Sequence, residues 1–129
     1  MQKKIINTSK APAPIGPYNQ AVSAAGFVYV SGQICIDPEN GALINESLEA
    51  ETHQVLNNLK AVLNAAGCQL DDVLKTSIFL SDMRLFHEVN EIYAKYFPSD
   101  NAPARECVAV KALPKNVNVE ISAIAFIGK

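Results

Sequence analysis

Long apolar runs are missing from this 129-residue chain. The longest charge-free apolar stretch near its C-terminus, 121–128, covers eight residues. A spanning helix needs about twenty, so no membrane segment is expected. Residues 1–10 carry three lysines with no apolar stretch behind them, which offers neither a secretory leader nor a transit peptide; a cytoplasmic location is the expectation. Positive charge is scarce as well. The 11 basic residues are outnumbered by 13 acidic ones, the net charge is -2, and no basic run exceeds Lys3-Lys4. No electrostatic platform for a nucleic-acid backbone results. Cys35, Cys68 and Cys107 are odd in number and widely spaced, which fits a reducing compartment better than a disulfide framework. Gly-x-Ser-x-Gly, His-Glu-x-x-His, Cys-x-x-Cys and a Gly-rich phosphate loop are all absent, so the familiar nucleophile, metal and phosphate templates fail.

What is present suits one domain spanning 1–129. With 49% hydrophobic and 19% charged residues, the chain can bury a globular core, and intrinsic disorder is excluded. Residues 3–8 read as an edge strand. Pro12, Pro14 and Pro17 then mark a loop. Residues 20–24 and 27–33 read as a hairpin about Ala25-Gly26, with Phe27, Tyr29 and Ser31 on one face and Val28 and Val30 on the other. Asp37-Pro38-Glu39-Asn40-Gly41 supplies turn chemistry.

Two helices are predicted. Ser47 is the first N-cap, Glu49 and Glu51 favour the helix dipole, and Gly67 ends the segment. Val55, Leu56, Leu59, Val62, Leu63 and Ala66 form its apolar stripe. Asp82 caps the second, Leu85, Val89, Ile92, Tyr93 and Tyr96 form its stripe, and Pro98 stops it. Residues 73–80 form a strand between the helices. Residues 105–111 and 117–126 read as a hairpin across Leu113-Pro114-Lys115-Asn116. The sum is an α/β chain with a single mixed sheet. Two helices can cover only one of its faces, yet Val117, Val119, Ile121 and Ala123 alternate with a face bearing Ile124 and Phe126. A homo-oligomer that covers the second face is expected.

His53 and His87 read as solvated surface histidines. Arg84 and Arg105 are the only arginines, and Arg84 is expected to be exposed in a first helical turn. Arg105 opens a strand, where its planar fork can clamp a carboxylate or form an ordinary surface ion pair. If the final hairpin pairs positions summing to about 227, Cys107 faces Glu120 and Arg105 faces Ser122, and a cation converges with a carboxylate on one face. Otherwise Glu120 is a solvated strand carboxylate beside Asn118. Cys107 reads as packing rather than as a nucleophile, since no basic partner stands near it in the hairpin.

The segments 15–21 (Ile-Gly-Pro-Tyr-Asn-Gln-Ala), 30–34 (Val-Ser-Gly-Gln-Ile), 73–76 (Val-Leu-Lys-Thr), 103–108 (Pro-Ala-Arg-Glu-Cys-Val), Leu113-Pro114 and 119–125 (Val-Glu-Ile-Ser-Ala-Ile-Ala) resemble the RidA/YjgF family of reactive-intermediate deaminases over essentially the whole chain. The resemblance implies a chorismate-mutase-like fold, one mixed sheet with two helices packed on one face, assembled as a homotrimer with pockets at subunit interfaces. It implies hydrolysis of 2-imino acids such as 2-iminobutanoate and 2-iminopropanoate, with their enamine tautomers, to 2-oxo acids and ammonia. It needs no cofactor and no metal, and it links the chain to pyridoxal-phosphate-dependent dehydratases. In that picture Arg105 clamps the carboxylate and Glu120 positions or activates water. Tyr18, Ser31, Gly32, Asn90 and Cys107 line the pocket, Gly32 and Cys107 largely through backbone. The chain departs from the family pattern at Asn19, Cys35 and Glu106. Glu106 matters most, because its charge would oppose a substrate carboxylate unless it points to the other face of its strand.

Two other functions compete. The same clamp would serve a protein that binds or senses 2-oxo acids or amino acids without turnover. A ribonuclease or translation inhibitor is disfavoured by the acidic charge and the lack of basic stacking surfaces.

Overall fold

The computed structural model describes residues 2–128, so Met1 and Lys129 of the expected 1–129 unit lie outside the described residues. The strands are β1 (Lys4–Ile6), β2 (Ala21–Ala24), β3 (Phe27–Gln33), β4 (Val73–Leu80), β5 (Ala104–Ala109) and β6 (Val119–Phe126), with helices α1 (Leu48–Ala65) and α2 (Phe86–Tyr96). All six strands join one sheet in the order β1-β2-β3-β6-β4-β5. Only β4 and β5 run parallel, so the sheet is mixed, as expected. No helix among the described residues is long and apolar enough to cross a membrane.

Local chemistry places α1. The Ser47 side chain accepts from the Ala50 amide at 3.0 Å, which satisfies one of the unpaired donors of the first turn. Gly67 follows the helix at φ +85°, a conformation open to glycine at little cost. The stripe Val55, Leu56, Leu59, Val62 and Leu63 is fully buried and packs on β3 and β6. The second helix departs from the expectation at its start. Asp82 accepts from the Arg84 amide at 2.8 Å and caps a 3-10 turn over 83–85, while α2 itself opens at Phe86.

Both helices lie on one face. Along β6, Val119, Ile121, Ala123 and Ala125 are buried beneath them, whereas Glu120, Ser122, Ile124 and Phe126 point away. On that open face the register lines up Ile5, Val22, Tyr29 and Ile124 across four strands, with Ile5 56% and Tyr29 48% exposed.

The expected hairpin of the last two strands is not formed. β4 lies between them, so Ile78 pairs with Cys107 on one side and with Ile121 on the other. The reason is the crossover through α2, which returns β5 parallel to β4 and beside it. Long, half-buried β4 then fills the free edge of β6, and mostly exposed β5 takes the sheet edge. The connection 110–118 passes the end of β4, where the Val110 amide donates to the Leu80 carbonyl at 2.9 Å, and turns through Lys115 and Asn116 at positive φ.

Two side chains on α1 have partners that the sequence reading did not supply. Glu51 sits in the first turn as expected, but it is fully buried there. Its Oε2 accepts from the amides of Asn118 (2.7 Å) and Val119 (2.9 Å), and its Oε1 from Asn118 Nδ2 (3.1 Å). His53 is half-buried rather than solvated, with Nδ1 at 2.7 Å from the Tyr96 hydroxyl, tying α1 to α2.

Candidate active site in two halves

Arg105 enters β5 opposite Thr76, and parallel partners point to the same side of a sheet, so its side chain rises toward α2. There Nη1 donates to Asn90 Oδ1 at 2.6 Å. The guanidinium carbon lies 5.0 Å from the Tyr93 ring centroid and 5.5 Å from that of Phe86, within cation–π range. The Tyr93 ring is held in turn by a buried hydrogen bond of 2.6 Å between its hydroxyl and Thr76 Oγ1. Burial pushes the Tyr93 phenol pKa up, so it stays protonated. The outcome is an exposed cation with a fixed plane, bordering a groove lined by Phe97, Pro98 and Pro103. Asn90, expected to touch substrate, is placed to orient Arg105.

Glu120 occupies the other half. It leaves β6 on the open face, half-buried, and burial raises its pKa above the ordinary carboxylate value. It lies against Gly32, where an added Cβ would overlap the carboxylate and stand 2.7 Å from Cδ. A bulge makes the fit possible. Between the pairs Val30–Ala123 and Gln33–Ile121, the two residues Ser31 and Gly32 oppose Ser122 alone, the irregularity that often re-aims a strand beside a site. A cavity of about 130 Å³ beside Glu120 is walled by Gly32, Tyr18, Ile34 and Pro114, among others.

The proline-rich loop over this cavity is secured by Gln20, which is buried. Its Oε1 accepts from the Thr8 amide at 2.7 Å, and its Nε2 donates to the carbonyls of Thr8, Ala11 and Pro12 at 2.8–3.1 Å. Ser31, expected at the substrate, donates its hydroxyl to the Asn19 carbonyl at 2.7 Å and anchors the segment carrying Tyr18.

Within one chain the two halves do not meet. Arg105 and Cys107 share the helix side of β5, while Glu120 and Ser122 face the opposite side of β6. The convergence expected from the hairpin register is therefore absent, because β4 separates the strands. Cys107 neighbours Ile78 instead of Glu120. Burial pushes its thiol pKa up against the opposing pull of Arg105, which keeps thiolate scarce. Glu106 points away from Arg105. It accepts from Ser77 Oγ at 2.8 Å and pairs with Lys75 Nζ at 3.2 Å, contacts that lower its pKa. Its charge is thus neutralised on the face opposite the guanidinium.

Sequence reasoning missed Phe86 and Tyr93 as the ring supports of Arg105, Thr76 as the anchor of Tyr93, and Glu51 as the buried brace of the peptides leading into Glu120. The helical spacing of Phe86, Asn90 and Tyr93 on one side of α2 was an available signal. Thr76 stood in a family motif and Glu51 in a first helical turn, but nothing local marked the buried partners of either. Among the described residues, no three His, Cys, Asp or Glu side chains gather as a metal site.

The chain matches the family described as Endoribonuclease L-PSP over residues 8–127. It is 51% identical over 128 residues to a RutC family protein of Synechocystis, covering 98% of each. It is 46% identical to the human 2-iminobutanoate/2-iminopropanoate deaminase, covering 98% of this chain and 91% of that protein. Among solved structures, a putative endoribonuclease from Thermotoga maritima matches with a TM-score of 0.93 at 50% identity, covering 97% of this chain and 98% of that one. E. coli TdcF with bound serine matches with a TM-score of 0.89 at 40% identity, covering 95% and 98%.

Proposed function

Because the chain belongs to the RidA/YjgF family, described also as Endoribonuclease L-PSP, we propose that it hydrolyses 2-imino acids and their enamine tautomers to 2-oxo acids and ammonia. One observation carries the reading: a guanidinium of fixed orientation and a half-buried carboxylate of raised pKa are the two polar centres of the site.

Arg105 receives the substrate carboxylate. With Nη1 turned to Asn90 and two rings against the guanidinium, its plane is set before binding, so orientation is not lost to side-chain freedom. The carbon of a protonated imine is already electrophilic. Ionised Glu120 takes one proton from a water as its oxygen bonds to that carbon and the C=N electron pair moves to nitrogen. The carbinolamine nitrogen then receives the proton from Glu120. The carbonyl forms as the hydroxyl proton passes to Glu120, the C–N bond breaks and ammonia leaves. Solvent finally takes the proton. A positioned base of this kind contributes about 10²- to 10⁴-fold.

One ligand can reach both centres only where two copies meet, since the two side chains leave opposite faces of a single sheet. A homotrimer in which one copy's Arg105 half closes over another's Glu120 half satisfies this, and it also covers the open row of Ile5, Tyr29 and Ile124. The imines would come from pyridoxal-phosphate-dependent dehydratases. A second reading, ligand binding without turnover, is favoured by the serine bound to TdcF. Such a binder would use the clamp, with Glu120 pairing with the ammonium of an amino acid, whereas the hydrolytic reading uses Glu120 as the base that activates water.

The test adds the protein to a threonine dehydratase reaction and follows the appearance of 2-oxobutanoate, with light scattering on the same sample. Faster release of the 2-oxo acid by a species of three chains is expected. An unchanged rate overturns the deaminase reading, and a monomer that deaminates overturns the shared site.

A further inference from the structure

We infer that the cavity beside Glu120 is a subsite for an extended aliphatic side chain, so that 2-imino acids with apolar side chains of three or more carbons are preferred. This rests on the deaminase reading and names its substrate class.

Beside Glu120 the cavity is walled by Pro12, Ile15, Ile34, Ile36 and Pro114, with Tyr18 and Lys115 also in the lining. Its amide side chains are already committed. Gln20 holds the backbone of the loop above, and Gln33 Nε2 donates to the Ser31 carbonyl at 3.2 Å. A neutral hydroxyl or amide packed against the proline and isoleucine wall would lose hydration, whereas a methylene loses nothing. The room does not end with the first cavity. A second space of about 270 Å³ shares the Pro12, Ala13, Ile15 and Ile36 wall and continues past Pro38 and Gly41. Lys115 lines both spaces, and Asp37 lines the second. A chain longer than ethyl therefore stays on apolar surface beyond the first cavity.

Burying each added methylene should raise kcat/KM about fourfold. Imines made in situ by an L-amino-acid oxidase from alanine, 2-aminobutyrate, norvaline and norleucine, with glutamine as the polar counterpart, are scored by competition with semicarbazide. A rise of roughly that slope along the aliphatic series, with the glutamine imine well below norvaline's, is expected. Ala13 lies on the exposed loop in the wall common to both spaces. Ala13→Phe should cut the norleucine imine about tenfold or more and 2-iminopropanoate less than threefold. A flat or falling series with 2-iminopropanoate turned over overturns the subsite and leaves the deaminase reading intact. If no imine is turned over, that reading falls and calorimetry of the matching 2-oxo acids decides the subsite: affinity rising along the series upholds it, and a flat series overturns it.

Discussion

Replacing Gly32 with alanine isolates the position of the Glu120 carboxylate from its chemistry. The new Cβ would stand 2.7 Å from Cδ and 3.0 Å from Cγ of Glu120, against 3.4 Å for ordinary contact, so the carboxyl must retreat by about 0.7 Å at Cδ and further at its oxygens. The obstacle is the free end of a flexible side chain, which can turn aside, so the fold should barely notice. Gly32 is exposed on its strand, and surface changes of this kind stay within about 0.5 kcal/mol. Catalysis should notice strongly, because a displacement near 1 Å of a reacting group can cost about a hundredfold. The expected result is kcat lowered by roughly ten- to a hundredfold, with the urea midpoint, the oligomer mass and the affinity for a 2-oxo acid near those of the parent. Steady-state deamination of 2-iminopropanoate, run beside urea melts and calorimetry, reads all of these. Unchanged kcat in a folded Gly32→Ala protein would refute the reasoning, since Glu120 could then be displaced without consequence.

Arg105→Ala should lower kcat/KM by about tenfold to a few hundredfold, from 1.5–3 kcal/mol per charged hydrogen bond; Arg105→Lys should recover only part, and parent-like rates in either variant would place the substrate carboxylate elsewhere. Burial raises the Glu120 pKa in the folded state, so the folded protein binds its proton more tightly than the unfolded chain, and stability from this group is present at low pH and lost as pH rises through the folded value. Glu120→Gln should therefore raise Tm at pH 7 but not at pH 3, while kcat falls about a hundredfold; the acid limb of the parent's kcat profile should lie above the ordinary carboxylate range, and a Tm difference of the same sign and size at both pH values would refute the desolvation argument. Glu51→Ala leaves the Asn118 and Val119 amides without their acceptor and should cost about 3 kcal/mol or more by urea denaturation, Glu51→Gln somewhat less; a loss under 1 kcal/mol would mean that water replaces the carboxylate.

Elements governed by neighbours along the chain were legible in the sequence. Ser47, the apolar stripe of α1 and Gly67 placed that helix, because capping and the 3.6-residue period act within a few positions. Period-two alternation likewise assigned the faces of β3 and β6, so the uncovered side of the sheet could be foreseen from Tyr29, Ile124 and Phe126. Arg105 and Glu120 were identifiable as residue types in family motifs.

Strand partners were not legible. Alternation in 104–109 says which side chains share a face and nothing about which strand lies alongside; the α2 crossover decided that by laying β5 parallel to β4. That choice put Arg105 and Glu120 on opposite faces, so the convergence expected from a hairpin register does not form within one chain. Burial was equally out of reach. Glu51 carries the local signature of a dipole-stabilising first-turn carboxylate, but its role comes from two amides 67 and 68 positions away, and His53 is defined by a tyrosine 43 positions away. Short-range propensity is written in consecutive residues, whereas the pairing of distant backbone donors and acceptors exists only once the sheet has chosen its order.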